Sequence, residues 1–306
     1  MKSAKTERRN PRSRGLDRKS TLQILRVLNG EDARVAEAVR RELPKIARAV
    51  DAIVRALRSG GRVIYVGAGT SGRQAVLDAA ECPPTFGTPQ KMVRAIIAGG
   101  ERAVRFASED AEDSDEDGAG ELRRAGVSKR DVIVGISASG TTPFVLGALR
   151  FARSKGATTI AVTSNPGAAV ARTADIAIEP DTGAEAISGS TRLKAGTAQK
   201  MVLNMLSTAS MARLGRVYDN WMVHLALTNG KLQRRGVKIL REITGASASA
   251  AEHALRQVGH DLPAAIVMLK AGSNAREARR AVQQSGGDVR RAIEIANGGN
   301  RVKGRK

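Results

Sequence analysis

Between residues 62 and 178, short apolar runs alternate with segments whose apolar residues recur at helical spacing. The runs fall at 62–66, 92–98, 131–136, 158–163 and 176–178 and are rich in Val and Ile. Runs of this length read as strands buried on both faces, and strands alternating with helices make a parallel, doubly wound sheet. Ahead of them, Ser20 and Thr21 start a helix that reaches about residue 28, and helical spacing over residues 31–57 ends at Gly60-Gly61. The expected fold is therefore α/β, with a flavodoxin-like sheet behind N-terminal helices.

Past the sheet, residues 183–200 are small and hydroxylated, placed to close over a ligand, and helices follow at 198–214 and 231–243. Near Gly245 the pattern changes to short helices at 250–258, 262–270, 274–283 and 289–295, punctuated by glycine pairs such as Gly286-Gly287. This predicts a main domain over 20–245, a small helical bundle over 246–299, and basic tails at 1–19 and 300–306.

Ligands of doubly wound sheets bind outside the carboxyl ends of the strands. Three loops there share a character: GAGTSG at 67–72, SASGTT at 137–142 and SNPG at 164–167. Hydroxyls beside the free N–H groups of a helix start form a nest for phosphate. One such loop is as well explained by simple N-capping; three on one sheet edge favour phosphate. The first loop also has the G-x-G-x-x-G spacing of a dinucleotide site, which needs an acid about 20 positions on, at the end of the second strand. Here the first acid after the second strand is Glu101, 34 positions beyond Gly67, so a dinucleotide is not favoured.

Two groups of carboxylates lie near these loops. Glu81 is expected to be the last helical residue before Cys82-Pro83-Pro84, where the negative end of the helix dipole raises a carboxyl pKa and suits a proton donor. A solvated glutamate at a frayed helix end is the competing reading. Residues 101–121 hold nine acids, ordinarily a solvated surface, but follow the second strand beside the first loop. Pairing Glu81 with one of them would put two carboxylates at a sugar phosphate; the spacing does not say which one.

Composition then narrows the class. The 306 residues carry a formal charge of +21, of which the two ends supply ten: residues 1–20 have eight basic against two acidic residues, and 296–306 have four against none. With one Trp, two Tyr and four Phe there are few platforms for stacking bases, so nucleic acid is expected only as an incidental polyanion. No run has the length of a membrane span and the N-terminus lacks a signal-peptide core, so a soluble cytoplasmic protein is the default. The single Cys82 excludes an intramolecular disulfide, and His224, His253 and His260 lack ligand spacing, so neither metal nor cofactor is expected.

The motifs GAGTSGR, AAECPPTFG, AGG followed by AED, SASGTTP, SNPG, GSTRLKAGTAQK, LNMLST and TNGKL, with TERRN at 6–10, occur in an order that resembles the bacterial N-acetylmuramic acid 6-phosphate etherases. These are a branch of the sugar isomerase (SIS) fold. The resemblance covers about residues 5–245, and the C-terminal helices resemble that family's ubiquitin-associated-like domain. It implies cleavage of the D-lactyl ether of N-acetylmuramic acid 6-phosphate to N-acetylglucosamine 6-phosphate and D-lactate, without a cofactor. By matching motifs, Glu81 takes the acid position and Glu112 the second catalytic carboxylate. Ser71, Ser139 and Thr142 match hydroxyls around sugar phosphates, with Thr70, Ser137, Thr191 and Lys194 as neighbours. A homodimer is also implied, its basic N-terminal segment reaching the partner's pocket.

Three positions depart from the pattern: Thr141 stands for an arginine, His224 for an aspartate and Gly230 for a glutamate. Losing a guanidinium weakens contact with an anion unless Lys194 or Arg73 compensates. The alternatives are a sugar-phosphate-sensing regulator like the glucokinase regulatory proteins, which share the architecture without chemistry, or an aldose–ketose isomerase. A SIS transcription regulator is disfavoured because about twenty residues precede the first helix, too few for a helix-turn-helix domain.

Overall fold

The computed structural model describes residues 4–303. The chain divides into two compact units. One comprises the chain up to Ala80 together with Gln90–Thr208, the other Glu81–Pro89 together with the chain from Ala209 onward.

In the first unit, α1 (Thr21–Asp32) starts at a capping box formed by Ser20 and Gln23. The helical stretch expected to be continuous is two helices, α2 (Val35–Arg40) and α3 (Leu43–Arg58), because Pro44 belongs in a helix's first turn and restricts the residue before it. Then follow β1 (Val63–Gly67), α4 (Gly69–Phe86), β2 (Val93–Ile97), α5 (Gly100–Arg105), a 3-10 turn over Glu109–Glu112, α6 (Asp115–Arg124) and β3 (Val132–Ile136). The sheet is completed through α7 (Pro143–Ser154), β4 (Thr158–Val162), α8 (Ala169–Thr173) and β5 (Ile176–Ile178). All five strands are parallel in the order β2-β1-β3-β4-β5, and every residue of β1 and β3 is buried. One face, with Ile64, Val66 and Ile133, packs on Phe144, Val145 and Leu149 of α7, and α3 packs against β3 and β5. The doubly wound α/β expectation holds, strand by strand. A last helix, α9 (Lys194–Arg213), leads into the second unit.

Residues 5–18 are not a solvated tail. They fold into three 3-10 turns, with Thr6 and Asn10 buried. Asn165 Nδ2 donates to Thr6 Oγ1 at 3.0 Å, and Asn10 Nδ2 donates to Ala184 O at 3.1 Å and Glu31 Oε2 at 2.8 Å. A short, uncharged side chain that can both donate and accept is what makes this docking specific. Thr6 and Asn10 thus anchor the N-terminal segment to its own chain. Of the basic run at the other end, residues 304–306 lie outside the described residues.

The second unit contains the two-stranded ribbon β6 (Val217–Tyr218) and β7 (Trp221–Met222), then α10 (Gly230–Thr244), α11 (Ala248–Gln257), α12 (Leu262–Ala271), α13 (Ala275–Gln284) and α14 (Val289–Lys303). Its core joins Val223, Leu225, Leu227, Ile239 and Leu240 to Leu255, Ile266 and Val267. Apolar packing therefore crosses the composition break near residue 245.

A buried ion pair fastens the first unit. Glu31 and Lys194 are 2% and 1% exposed, with Nζ 2.6 Å from Oε2, and Arg12 pairs with the same carboxylate. Burial alone would raise the Glu31 pKa; hydrogen bonds from Arg12, Lys194 and Asn10 outweigh it and hold the group at about 2. Glu31→Gln should cost about 3–5 kcal/mol in urea unfolding, since it leaves the Lys194 ammonium buried without its counter-charge. Because the folded carboxyl titrates below its ordinary 4.5, the unfolded chain binds more protons between those values. This contribution is complete above pH 4.5 and is lost as pH falls toward 2, so the variant's stability profile should be flatter across that window; an unchanged slope would exclude Glu31 as its source.

Candidate active site

The carboxyl edge of the sheet brings together loops far apart in sequence. After β1 the chain turns at Ala68 into α4, and Gly72 N donates to Ala68 O at 3.1 Å. A Cβ on Gly67 would stand 2.8 Å from Gly72 N, and one on Gly72 would stand 2.5 Å from Ile97 Cγ1, so these glycines let helix, loop and neighbouring strand approach. Ser71 is buried and Thr70 half-buried at the first turn of α4. Thr70 Cγ2 lies 3.4 Å from the Cβ position of Gly196 on α9, and Thr191 O accepts from Gly196 N at 2.9 Å. Loop one and the start of α9, with Thr70 and Thr191, thus form one surface.

The loop after β3 is a linked set of hydroxyls. Ser137 Oγ is 2.8 Å from Thr142 Oγ1 and 3.4 Å from Ser139 Oγ, and accepts from Gly140 N at 2.9 Å. Thr142 precedes α7, but its side chain makes no capping bond to that helix; its hydroxyl is turned to Ser137 instead. The N-cap alternative therefore fails at this residue. Thr141 Oγ1 donates to Ser139 Oγ at 3.1 Å. Gly140, at φ +75°, allows the loop to press on the next one, where a Cβ would be 2.3 Å from the Ala168 methyl. Asn165 Nδ2 and Ser164 N both donate to Ala138 O, at 2.9 and 3.2 Å.

Lys194 does not stand among these groups as a phosphate ligand. Its ammonium is spent on Glu31 and on Thr182 O at 2.9 Å, because a charge this deeply buried needs a fixed counter-charge. Arg73 Nε and Nη2 donate to Val104 O and Phe106 O at 3.0 and 2.9 Å, at the end of α5. Within the 183–200 stretch, Glu185, fully buried, accepts from Ala195 N at 2.9 Å and Lys194 N at 3.0 Å, capping α9. Burial pushes the Glu185 pKa up against the pull of those N–H groups. Neither Glu185 nor Asn165 was singled out from the sequence; the signal for Glu185 was an acid alone in a run of small residues before a helix.

Of the two carboxylates, Glu112 ends the 3-10 turn after α5 and is half-buried. Glu81 is exposed, and its helix does not stop at the prolines: α4 runs through Pro83 and Pro84 to Phe86, closed by Gly87 N donating to Pro83 O at 2.9 Å. Glu81 thus lies more than a turn inside the helix, and the helix-end argument does not hold there. In the first unit, Asp78 on the same helix is buried and accepts from Tyr65 Oη, Asn204 Nδ2 and Ser207 Oγ at 3.0, 2.7 and 3.0 Å, tying α4 to β1 and α9.

Residues 45–153 match the N-terminal SIS domain of glucokinase regulatory protein, and residues 116–209 match the SIS domain. The chain is 53% identical to an N-acetylmuramic acid 6-phosphate etherase of Edwardsiella ictaluri, over 87% of this chain and 89% of that one. It is 49% identical to one of Actinobacillus pleuropneumoniae over 88% of each, and 51% identical to one of Salmonella agona over 87% and 90%.

The chain belongs to the N-acetylmuramic acid 6-phosphate etherase family.

Within that family assignment, the hydroxyl loops of this etherase are the SIS loops, and they meet at one sheet edge. Ser137→Ala should remove the acceptor of Gly140 N–H, costing about 1–3 kcal/mol of stability. It should also weaken sugar-phosphate binding on the order of tenfold by calorimetry, about one hydrogen bond's worth. Lys194→Met should instead lower stability first; if it weakened binding without a stability loss, the structural role of Lys194 would be wrong.

Proposed function

We propose that this protein cleaves the D-lactyl ether of N-acetylmuramic acid 6-phosphate, giving N-acetylglucosamine 6-phosphate and D-lactate. The observation that carries this is identity of about half to curated etherases over nearly the whole of both chains.

In the open-chain sugar, the C2 proton is α to the aldehyde and the ether at C3 is β to it. Removing that proton drives the C–O bond at C3 to break, and the departing lactate oxygen must be protonated. Water then adds at C3 and a proton returns to C2, so one water is consumed per ether cleaved. One group must be an acid at neutral pH and another a base. By its place in the ECPPTFG motif, Glu81 protonates the leaving oxygen; by its place in AED, Glu112 moves the C2 proton. Ser71, Ser139 and Thr142, with Thr70, Ser137 and Thr191 beside them, hold the phosphate through hydroxyls and helix-start N–H groups. Lys194 supports this surface from behind.

The protein acts in the cytoplasm as a homodimer. Supporting the dimer, Leu22, Leu25, Leu77 and Phe106 are each more than half exposed, an apolar load that a second copy would cover. The match of residues 45–153 to glucokinase regulatory protein favours a second reading, a sugar-phosphate sensor without chemistry. Both carboxylates standing in their motifs weigh against it.

The purified protein should release D-lactate from N-acetylmuramic acid 6-phosphate, and Glu81→Gln or Glu112→Gln should each lower turnover by about a hundredfold or more. Binding without lactate release would leave the sensor. Light scattering at micromolar concentration should give the mass of two chains, and a monomer would sink the dimer.

A further inference from the structure

We infer that Arg216 is a positioning residue for the Glu81 segment, and that the C-terminal helices reach the chemistry through it. This rests on the reading of Glu81 as the acid. All the residues concerned belong to the second unit.

The turn that carries Glu81 is short of internal support. Pro83 and Pro84 have no N–H, so the helix loses the two bonds that those positions would give to the carbonyls of Ala79 and Ala80. Support comes from outside. Arg216 Nη1 donates to Phe86 O at 3.3 Å and Gly87 O at 3.2 Å, so one guanidinium closes the last carbonyls of α4. Gly87, at φ +61°, lies so close to His224 that a Cβ would be 2.8 Å from His224 O and 3.1 Å from its Cβ.

The same two residues meet the helical bundle. His224 Nε2 donates to Gly287 O at 2.8 Å, in the turn between α13 and α14. A Cβ on Gly287, at φ +92°, would be 3.2 Å from His224 Cε1 and 3.7 Å from Arg216 Cζ. Next to Arg216, Gly215 leaves room for Asp288: a Cβ there would be 2.3 Å from Asp288 Cγ. Arg290 lies 4.5 Å over the Tyr218 ring, clamping the ribbon that follows Arg216 to α14. Three glycines at 87, 215 and 287 therefore close a junction in which the Glu81 segment, Arg216, His224 and the α13–α14 turn fit together. Burial lowers the His224 pKa, as does the nearby Arg216, so a neutral imidazole donates here where the family's usual aspartate could not.

The test compares wild type, Arg216→Ala, Arg216→Lys and Gly287→Ala as full-length proteins, by D-lactate kinetics and by hydrogen exchange of peptides covering residues 81–89. Arg216→Ala should speed exchange in that segment and lower kcat by about a hundredfold, the scale of a small misplacement, with KM within twofold. Gly287→Ala, distant in sequence, should move both readouts the same way, and Arg216→Lys should recover part of each loss. If Arg216→Ala does not fold, Arg216→Lys and Gly287→Ala carry the test. Unchanged exchange over 81–89, or a KM rise as large as the fall in kcat, would overturn the inference. Glu81→Gln separates the two ideas: full turnover there would refute the acid assignment, and the positioning of the segment would then be judged by exchange alone.

Discussion

One buried ion pair organises the sugar-binding half of the molecule. Neither the Glu31 carboxylate nor the Lys194 ammonium is stable alone in the interior, and each is kept there by the other and by the groups that saturate the pair. Those groups come from distant parts of the chain: Asn10 and Arg12 from the N-terminal segment, Thr182 from the approach to α9. Lys194 is also the first residue of α9, so the pair fixes where that helix begins, and the Glu185 carboxylate then caps it. Through Gly196, the placement of α9 sets the wall against which Thr70 rests. A charge interaction thus bears, through α9, on the surface where Thr70 of the first loop meets that helix.

The loops to which the proposed function assigns the phosphate offer it mainly neutral groups. Arg73, next to the first loop, donates to carbonyls, Lys194 is held by Glu31, and Thr141 brings a hydroxyl to the second loop. Hydroxyls and helix-start N–H groups bind phosphate by direction more than by net charge. The linked set Ser137, Ser139 and Thr142 holds those directions before any ligand arrives.

The central strands β1 and β3 were legible because their apolar runs are buried on both faces, leaving no polar alternation to confuse them. The hydroxyl loops were legible because a doubly wound sheet collects its strand ends at one edge. Other features were hidden for physical reasons. A lysine in a glycine-rich loop reads as a phosphate ligand, whereas the carboxylate that claims Lys194 lies 163 positions earlier. Dense charge at the N-terminus reads as a solvated tail, yet two small polar residues, Thr6 and Asn10, dock it. Adjacent prolines read as a stop, but α4 continues because partners outside the helix take over its closing carbonyls.

That last error bears on mechanism. Because α4 starts in the first hydroxyl loop and runs through the proline pair, it carries Thr70 and Ser71 on its first turn and Glu81 just before a turn that has lost two internal bonds. The proposed reaction needs two carboxyls whose surroundings differ, and Glu81, exposed within α4, differs in this way from Glu112, half-buried at the end of a 3-10 turn. His224, which donates to Gly287 O and lies against Gly87, therefore acts on the segment that follows Glu81.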